Sequence, residues 1–371
     1  MEPADHRPRL QPHRAGLRDH ARPRVRARGG LTVRAAVLTA LETVELQERP
    51  EPTARPGWVV LTVEAASLCG TDVHQYDGRI DTPFPRVPGH DFSGRVESVG
   101  EGVDESWIGK PVAVKPSLPC GDCPECHTDK PFDCKRKKLI GLWSDGCLTE
   151  KIAVPVVNLI PRPDGVEPWQ ASLLEPLAVG LNTVDRLRII LGESVVVLGQ
   201  GPIGLALTRL CSLSGAGRLI VTDAREAPFA VSRAYGASDC INVLETDATQ
   251  AVLDLTDGIG ADIVIETSGF PASSAMVLDA VRKEGKVAHI GWANDLPPLP
   301  VIPIMAKTLT VFGVGGNGGR GQYERALELV RSGRIDLDPM VTHRFSLDDV
   351  EEAFATAASK TDGSIKVVVN P

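Results

Sequence analysis

The sequence predicts an α/β protein made of two differently patterned blocks, one a partly open β-barrel and the other a doubly wound parallel sheet. Three observations carry that prediction. From Val33 to about Leu159 the chain reads as short strands broken by Gly and Pro: RAAVL, WVVLTVEAA, FSGRVESVG, PVAVK and LTEKIAVP. That is an all-β pattern. From about Leu181 to Asn317, continuous apolar runs (SVVVLG, RLIVTD, ADIVIETSG, GKVAHIG, LTVFGVG) alternate with helix-length segments such as PIGLALTRLCSLSG and SSAMVLDAVRKEG. Strands apolar on both faces belong to a parallel sheet covered by helices. The tail then gives GQYERALELVRSGRI, FSLDDVEEAFATAASK and IKVVVNP, read as helix, helix and strand.

At 371 residues, two domains can each bury a core. Residues 33–180 with 320–371 are expected to form one domain and residues 181–319 the other. A net charge of −8 argues against a nucleic-acid or anionic-membrane partner. No apolar run approaches the roughly 18–20 residues that a membrane span requires. The expected setting is therefore soluble and cytoplasmic. Residues 1–32 hold eight arginines, no lysine and no apolar stretch, which excludes a secretory signal. Pro3, Pro8, Pro12 and Pro23 would interrupt the amphipathic helix of an organellar leader. This segment is expected to be a disordered tail, or translated upstream sequence before a start near Val33.

Cys120, Cys123, Cys126 and Cys134 form a C-x2-C-x2-C-x7-C run in a loop rich in Gly and Pro. Four thiolates at this spacing can surround one tetrahedral metal, and sulfur selects zinc or an iron–sulfur cluster over hard cations. The competing readings are two disulfides or four unrelated buried thiols. Without a secretory signal, disulfides lose their rationale, and half of the eight cysteines fall within 15 residues. We read a closed structural zinc site. His127 lies in the same loop but the thiolate quartet is already complete. Cys147, Cys211 and Cys240 read as packing thiols.

The strand SVVVLG runs into Gly199-Gln200-Gly201-Pro202-Ile203-Gly204 and then a helix, with Asp223 closing the next apolar run. A bare G-x-G-x-x-G is weak, but strand, turn, helix and a later acid together make the dinucleotide fingerprint. Gly199 permits the turn, Gly201 the approach of a pyrophosphate, and Gly204 close helix–strand packing. The helix N-terminus offers free amides to phosphates. Asp223 would accept from adenosine ribose hydroxyls and repel a 2′-phosphate, so NAD(H) is expected over NADP(H). Arg225, two residues on, softens that preference. His289, ending KVAHIG, reads as a packing residue.

Cys69-Gly70-Thr71-Asp72-Val73-His74 follows a strand, Gly89-His90-Asp91 lies about twenty residues on, and Glu175 sits at the junction of the two blocks. One thiolate, one imidazole and one or two carboxylates can make an open catalytic zinc site. Taken singly, each reads as packing or a turn.

These five ordered motifs, covering about residues 33–371, resemble the zinc-containing medium-chain dehydrogenase/reductase family of alcohol and polyol dehydrogenases. The resemblance implies an N-terminal GroES-like β-barrel catalytic domain, an inserted Rossmann domain and a C-terminal return to the catalytic domain. It implies two zinc ions per chain, NAD, a small polar alcohol as substrate, and a homodimer or homotetramer. Cys69 and His90 match catalytic zinc ligands. Glu175 matches the carboxylate of polyol-type members. Asp91 stands where such members carry glutamate, and its shorter reach leaves direct coordination or a supporting role open. Thr71 and His74 match a relay that takes the substrate proton to solvent, Asp72 would orient His90, and Lys366 would touch the cofactor pyrophosphate. The stretch from Glu175 to Arg186 and the segment from His343 to Asp349 are similar to members oxidising an aminocyclitol in antibiotic synthesis. Sorbitol-, butanediol- and threonine-type dehydrogenases are the alternatives, and a non-catalytic nucleotide-binding zinc protein is the alternative of another class.

Overall fold

The computed structural model describes residues 31–128, 133–293, 296–316 and 321–371. Residues 1–30, expected as a disordered tail, lie outside the described residues. The ordered chain opens with the hairpin β1 (Thr32–Ala40) and β2 (Thr43–Pro50), then β3 (Trp58–Ser67), the short helix α1 (Gly70–Tyr76) and β4 (Asp91–Val99). Next come β5 (Pro111–Val114), the two-residue pair β6 (Ser117–Leu118) and β7 (Lys138–Leu139), β8 (Lys151–Pro155) and β9 (Leu159–Pro161). Helices α2 (Pro168–Ser172) and α3 (Leu174–Leu187) follow.

The second block alternates as the apolar runs require. It contains β10 (Ser194–Leu198), α4 (Pro202–Leu213), β11 (Arg218–Asp223), α5 (Ala227–Ala234), β12 (Asp239–Asn242) and α6 (Ala248–Leu255). It continues with β13 (Ala261–Glu266), α7 (Pro271–Ala280), β14 (Val281–His289), α8 (Val301–Lys307) and β15 (Thr310–Gly313). The chain closes with α9 (Gln322–Arg331), β16 (Val341–Ser346), α10 (Val350–Ser359) and β17 (Lys366–Asn370).

Six strands pair in the order β12-β11-β10-β13-β14-β15, all parallel. This is the doubly wound order with its switch point beside β10, where ligands meet the carboxyl ends of the strands. Val195, Val197, Ile263 and Ile265 face one side and Val196, Leu198 and Val264 the other, and all are fully buried. The other principal sheet has seven strands in the order β16-β17-β3-β4-β5-β9, with β8 also on β3. Its members come from both ends of the chain: β17 pairs with β3, setting Val368 opposite Ser67, while β4 sets Asp91 opposite the same Ser67. The predicted fold class is therefore the observed one.

The segment Val281–Gly285, expected to continue a helix, instead opens β14. Its residues suit a helix locally, but Val281 is fully buried and sits in register with Ala261. The Lys307 ammonium donates to the carbonyls of Leu278 and Val281 at 2.6 and 2.8 Å, fixing the turn. Tertiary pairing overrides propensity here.

Candidate active site and metal centres

The four-cysteine loop holds its sulfurs in a compact set. Sγ of Cys123 lies 3.4 Å from that of Cys126 and 3.6 Å from that of Cys134, and Cys120 lies 3.8 Å from Cys126. A tetrahedral zinc thiolate with bonds of about 2.3 Å has sulfur–sulfur edges of about 3.8 Å. All eight cysteines are free thiols, so the disulfide reading has no support. Amides already point at sulfur: Cys120 N–H donates to Cys134 Sγ and Gly121 N–H to Cys126 Sγ, both at 3.4 Å. Burial works against the Cys134 thiolate, but the amides of Cys120 and Arg136 outweigh it and bring the thiol down to about 7. These donors fit zinc. His127 lies exposed on the rim.

The second set is assembled by Asp72. This fully buried carboxylate accepts from the Cys69 amide at 2.8 Å and from the Gly89 amide at 2.9 Å. It thereby clamps the start of α1 to the loop carrying His90. Burial would raise Asp72, yet the His90 ring and these two amides hold it below the ordinary carboxylate range. Nδ1 of His90 faces Asp72 Oδ1 at 3.7 Å, and Nε2 faces Asp91 Oδ1 at 3.7 Å.

Cys69, His90 and Asp91 bring ligand atoms within 4.8 Å of one another. Burial opposes the imidazolium of His90, but Asp91, Cys69 and Asp72 push it well above the ordinary value. His90 Nδ1 and Asp91 Oδ1 are buried without a hydrogen-bond partner. A half-buried thiol, a buried imidazole and a buried carboxylate oxygen without a hydrogen bond fit a divalent zinc, since unpaired buried polar atoms are otherwise costly. Asp91, whose reach was left open, has its carboxylate within this mutually close set. Glu175, expected beside it, is buried on the first turn of α3 but is not a member of that mutually close set. Lys366 does not point its ammonium at the glycine-rich turn: Nζ bonds Asp91 Oδ2 at 2.8 Å, 1% exposed. Burial disfavours its charge, and Asp91 and Cys69 restore it, raising its pKa. Cys147 is fully buried against the same group, and burial with Asp72 and Asp91 pushes its thiol well up. It is a packing thiol, as read.

Thr71 and His74 stand three apart on α1, hence on one face. Thr71 Oγ1 is 3.4 Å from Cys69 Sγ. Burial, Arg79 and Lys360 lower the His74 pKa against the opposing Asp77.

The glycine-rich turn fits a dinucleotide. Gly199 has φ of +91°, available to few residues but glycine. A methyl on Gly204 would stand 1.9 Å from the Gly199 carbonyl, whereas one on Gly201 meets nothing within 4 Å. The space before Gly201, at the N-terminus of α4, is the cradle a pyrophosphate would fill. Asp223 accepts from the amides of Gln200 at 2.8 Å and Arg225 at 2.9 Å. His289 instead bonds Ser274 Oγ at 3.1 Å, its other nitrogen 3.7 Å from buried Glu266.

Comparison with known proteins agrees with this geometry. Residues 55–164 match the alcohol dehydrogenase GroES-like domain and residues 202–332 the zinc-binding dehydrogenase domain. L-threonine 3-dehydrogenase of Bacillus subtilis (strain 168) is 34% identical over 87% of this chain and 94% of its own length. Sorbitol dehydrogenase of the same organism is 30% identical over 91% of this chain and 97% of its own. Among solved structures, one described as a short chain alcohol dehydrogenase of Escherichia coli CFT073 complexed with NADH superposes with a TM-score of 0.84. It is 26% identical and is covered over 92% of this chain and 100% of its own. The chain belongs to the zinc-containing medium-chain alcohol and polyol dehydrogenases. It is an oxidoreductase acting on CH–OH, of a family that uses zinc and a nicotinamide dinucleotide. No helix among the described residues is long and apolar enough to cross a membrane.

Proposed function

We propose that the chain oxidises a secondary hydroxyl of a polyol, cyclitol or amino alcohol to the ketone with NAD, using Cys69, His90 and Asp91 for the catalytic zinc. The close Cys69–His90–Asp91 set, whose Asp91 Oδ1 is buried without a hydrogen bond, carries this reading. Residues 33–180 with 320–371 would form the catalytic domain and 181–319 the nucleotide domain. The four-cysteine loop would hold a structural zinc, its closed thiolate shell leaving no position for substrate. Bound zinc would acidify the substrate hydroxyl, and the nicotinamide would take the hydride.

The remaining work falls to this chain's own side chains. Asp72 orients Cys69 and His90 through the backbone on either side of them. Lys366 neutralises the Asp91 oxygen that faces away from His90. Thr71 Oγ1, beside Cys69, accepts the hydroxyl proton as it gives up its own, and His74, one turn on, takes up the released proton and passes it outward. With its pKa lowered, the His74 imidazole is neutral at neutral pH and free to accept it. Gly199, Gly201 and Gly204 bring backbone against the pyrophosphate, and Asp223 receives the adenosine ribose. Glu175, outside the three-residue cluster, supports the site from α3.

Curated relatives named threonine and sorbitol dehydrogenases support a polar alcohol as substrate. An acidic residue beside His90 suits the same class. We take 2-deoxy-scyllo-inosamine, the aminocyclitol of aminoglycoside antibiotic synthesis, as the specific candidate, resting on the Glu175–Arg186 and His343–Asp349 stretches. The test is NAD reduction by purified enzyme with that compound, sorbitol, butanediol and threonine. Turnover of any of the other three without the aminocyclitol overturns the specific candidate. Absence of turnover with the whole panel in zinc-replete protein favours a non-catalytic nucleotide-binding protein.

A further inference from the structure

Three basic side chains gather between α1 and the carboxyl end of β11, in a position the proposed reaction does not use. Lys360 caps α10 with a left-handed backbone, φ +54°. α10 is tied to α1 by Tyr76 on Phe354, ring centroids 5.3 Å apart. The loop after Lys360 folds onto the nucleotide sheet: Arg225 Nη1 donates to the Ser364 carbonyl at 2.9 Å, and a methyl on Gly363 would touch Ala227 at 3.4 Å. Lys360 is thus bracketed by α1 and by the turn after β11.

Two of the three cations are committed. Arg79 Nε donates to Asp77 at 2.8 Å, and Arg225 Nε lies 3.4 Å from Asp223. The Lys360 ammonium has no hydrogen-bond or ion-pair partner among the described residues. It lies within electrostatic reach of Arg225, Asp223, Arg79 and Asp77, and acts in turn on His74. Lys360 is itself exposed to solvent, so its ammonium is open to a ligand. An uncommitted ammonium beside two fixed guanidinium groups is a site for an anion. Under the proposed function, which this inference rests on, His74 marks the nicotinamide side of the dinucleotide and Asp223 the adenosine side. The phosphates of the dinucleotide join those two sides. Lys366 is turned away, inward to Asp91.

We propose that Lys360, flanked by Arg225 and Arg79, binds a phosphate group of the nicotinamide dinucleotide and is a determinant of its affinity. The phosphate is that of the pyrophosphate, since Asp223 disfavours a 2′-phosphate on the adenosine side.

The experiment is equilibrium binding of NADH, NADPH, ADP-ribose and adenosine to zinc-loaded wild type, Lys360→Gln and Lys360→Arg, with melting temperatures as a check on folding. For the pyrophosphate, Lys360→Gln weakens NADH, NADPH and ADP-ribose at least tenfold and leaves adenosine unchanged, while Lys360→Arg retains affinity. Weakening of NADPH alone would place Lys360 at a 2′-phosphate and overturn the pyrophosphate assignment. Equal affinity of wild type and Lys360→Gln for all four ligands, in a wild type that binds NADH, overturns this inference alone. A wild type that binds none of the dinucleotides overturns the proposed function and this inference together.

Discussion

Nζ of Lys366 lies 2.8 Å from Oδ2 of Asp91, with the two side chains 1% and 0% exposed. The bond joins the first residue of β17 to the first residue of β4, on either side of the strand they share. Asp91 is thereby divided: one oxygen neutralised by the C-terminal strand, the other facing His90 at 3.7 Å without a hydrogen bond.

Removing the ammonium leaves a buried carboxylate unpaired, which typically costs about 3–5 kcal/mol. Lys366→Met is therefore expected to melt well below wild type when zinc is stripped by a chelator. Zinc supplies replacement charge at the other oxygen, so the gap should narrow on reloading. Thermal unfolding of both proteins with and without zinc checks this; an equal gap in the two conditions contradicts it.

Metal content separates the roles of the two carboxylates, Asp91 and Glu175. Asp91→Asn should retain roughly one zinc per chain, that of the four-cysteine loop, because the open cluster loses its charged oxygen. Glu175→Gln should retain roughly two, since Cys69, His90 and Asp91 already supply three ligands. Elemental analysis of the dialysed proteins decides. Loss of zinc in Glu175→Gln with retention in Asp91→Asn would reverse the assignment.

Two glycines of one turn should respond in opposite ways. Gly204→Ala places a methyl 1.9 Å from the Gly199 carbonyl, and overpacking of that kind costs about 1–3 kcal/mol. Gly201 has an ordinary φ of −70° and open space, so Gly201→Ala should fold within about 0.5 kcal/mol of wild type. That methyl would occupy the phosphate cradle, and NADH affinity should fall at least tenfold. Melting curves and NADH titration test the pair. A Gly201→Ala protein binding NADH normally refutes the cradle.

The proton relay has a pH signature. Asp77, Arg79 and Lys360 are the charged groups acting on His74, and burial with the two cations wins, lowering its pKa. The acid limb of kcat/KM should therefore fall below the ordinary imidazole value of about 6.5. Lys360→Gln removes one like charge, so its limb should shift to higher pH. His74→Gln should abolish the limb. A limb unmoved by Lys360→Gln and still present in His74→Gln would remove His74 from the relay.

The nucleotide turn was legible because its signal is local: an apolar strand, three glycines and a helix within a dozen residues, then Asp223. The four-cysteine loop was legible for the same reason. What escaped was set by distant chain. Lys366 and Asp91 are 275 residues apart, and nothing in either neighbourhood encodes that β17 and β4 flank β3. A carboxylate one methylene short could be placed against His90 only once the backbone of β4 was known. Lys360 read as the end of an ordinary helix, because its companions Arg79 and Arg225 belong to other elements. The side chains of Val281–Gly285 favour a helix locally, and pairing with β13 decides otherwise.

The central claim is that chemistry resides at Cys69, His90 and Asp91 and not at the four cysteines. It is tested most directly by measuring zinc per chain and NADH formation on a polar-alcohol panel, in wild type and Asp91→Asn prepared alike. Wild type should hold roughly two zincs and turn over, and Asp91→Asn roughly one zinc without turnover. Wild type holding a single zinc and reducing no NAD, or Asp91→Asn keeping both zincs and full turnover, would contradict it.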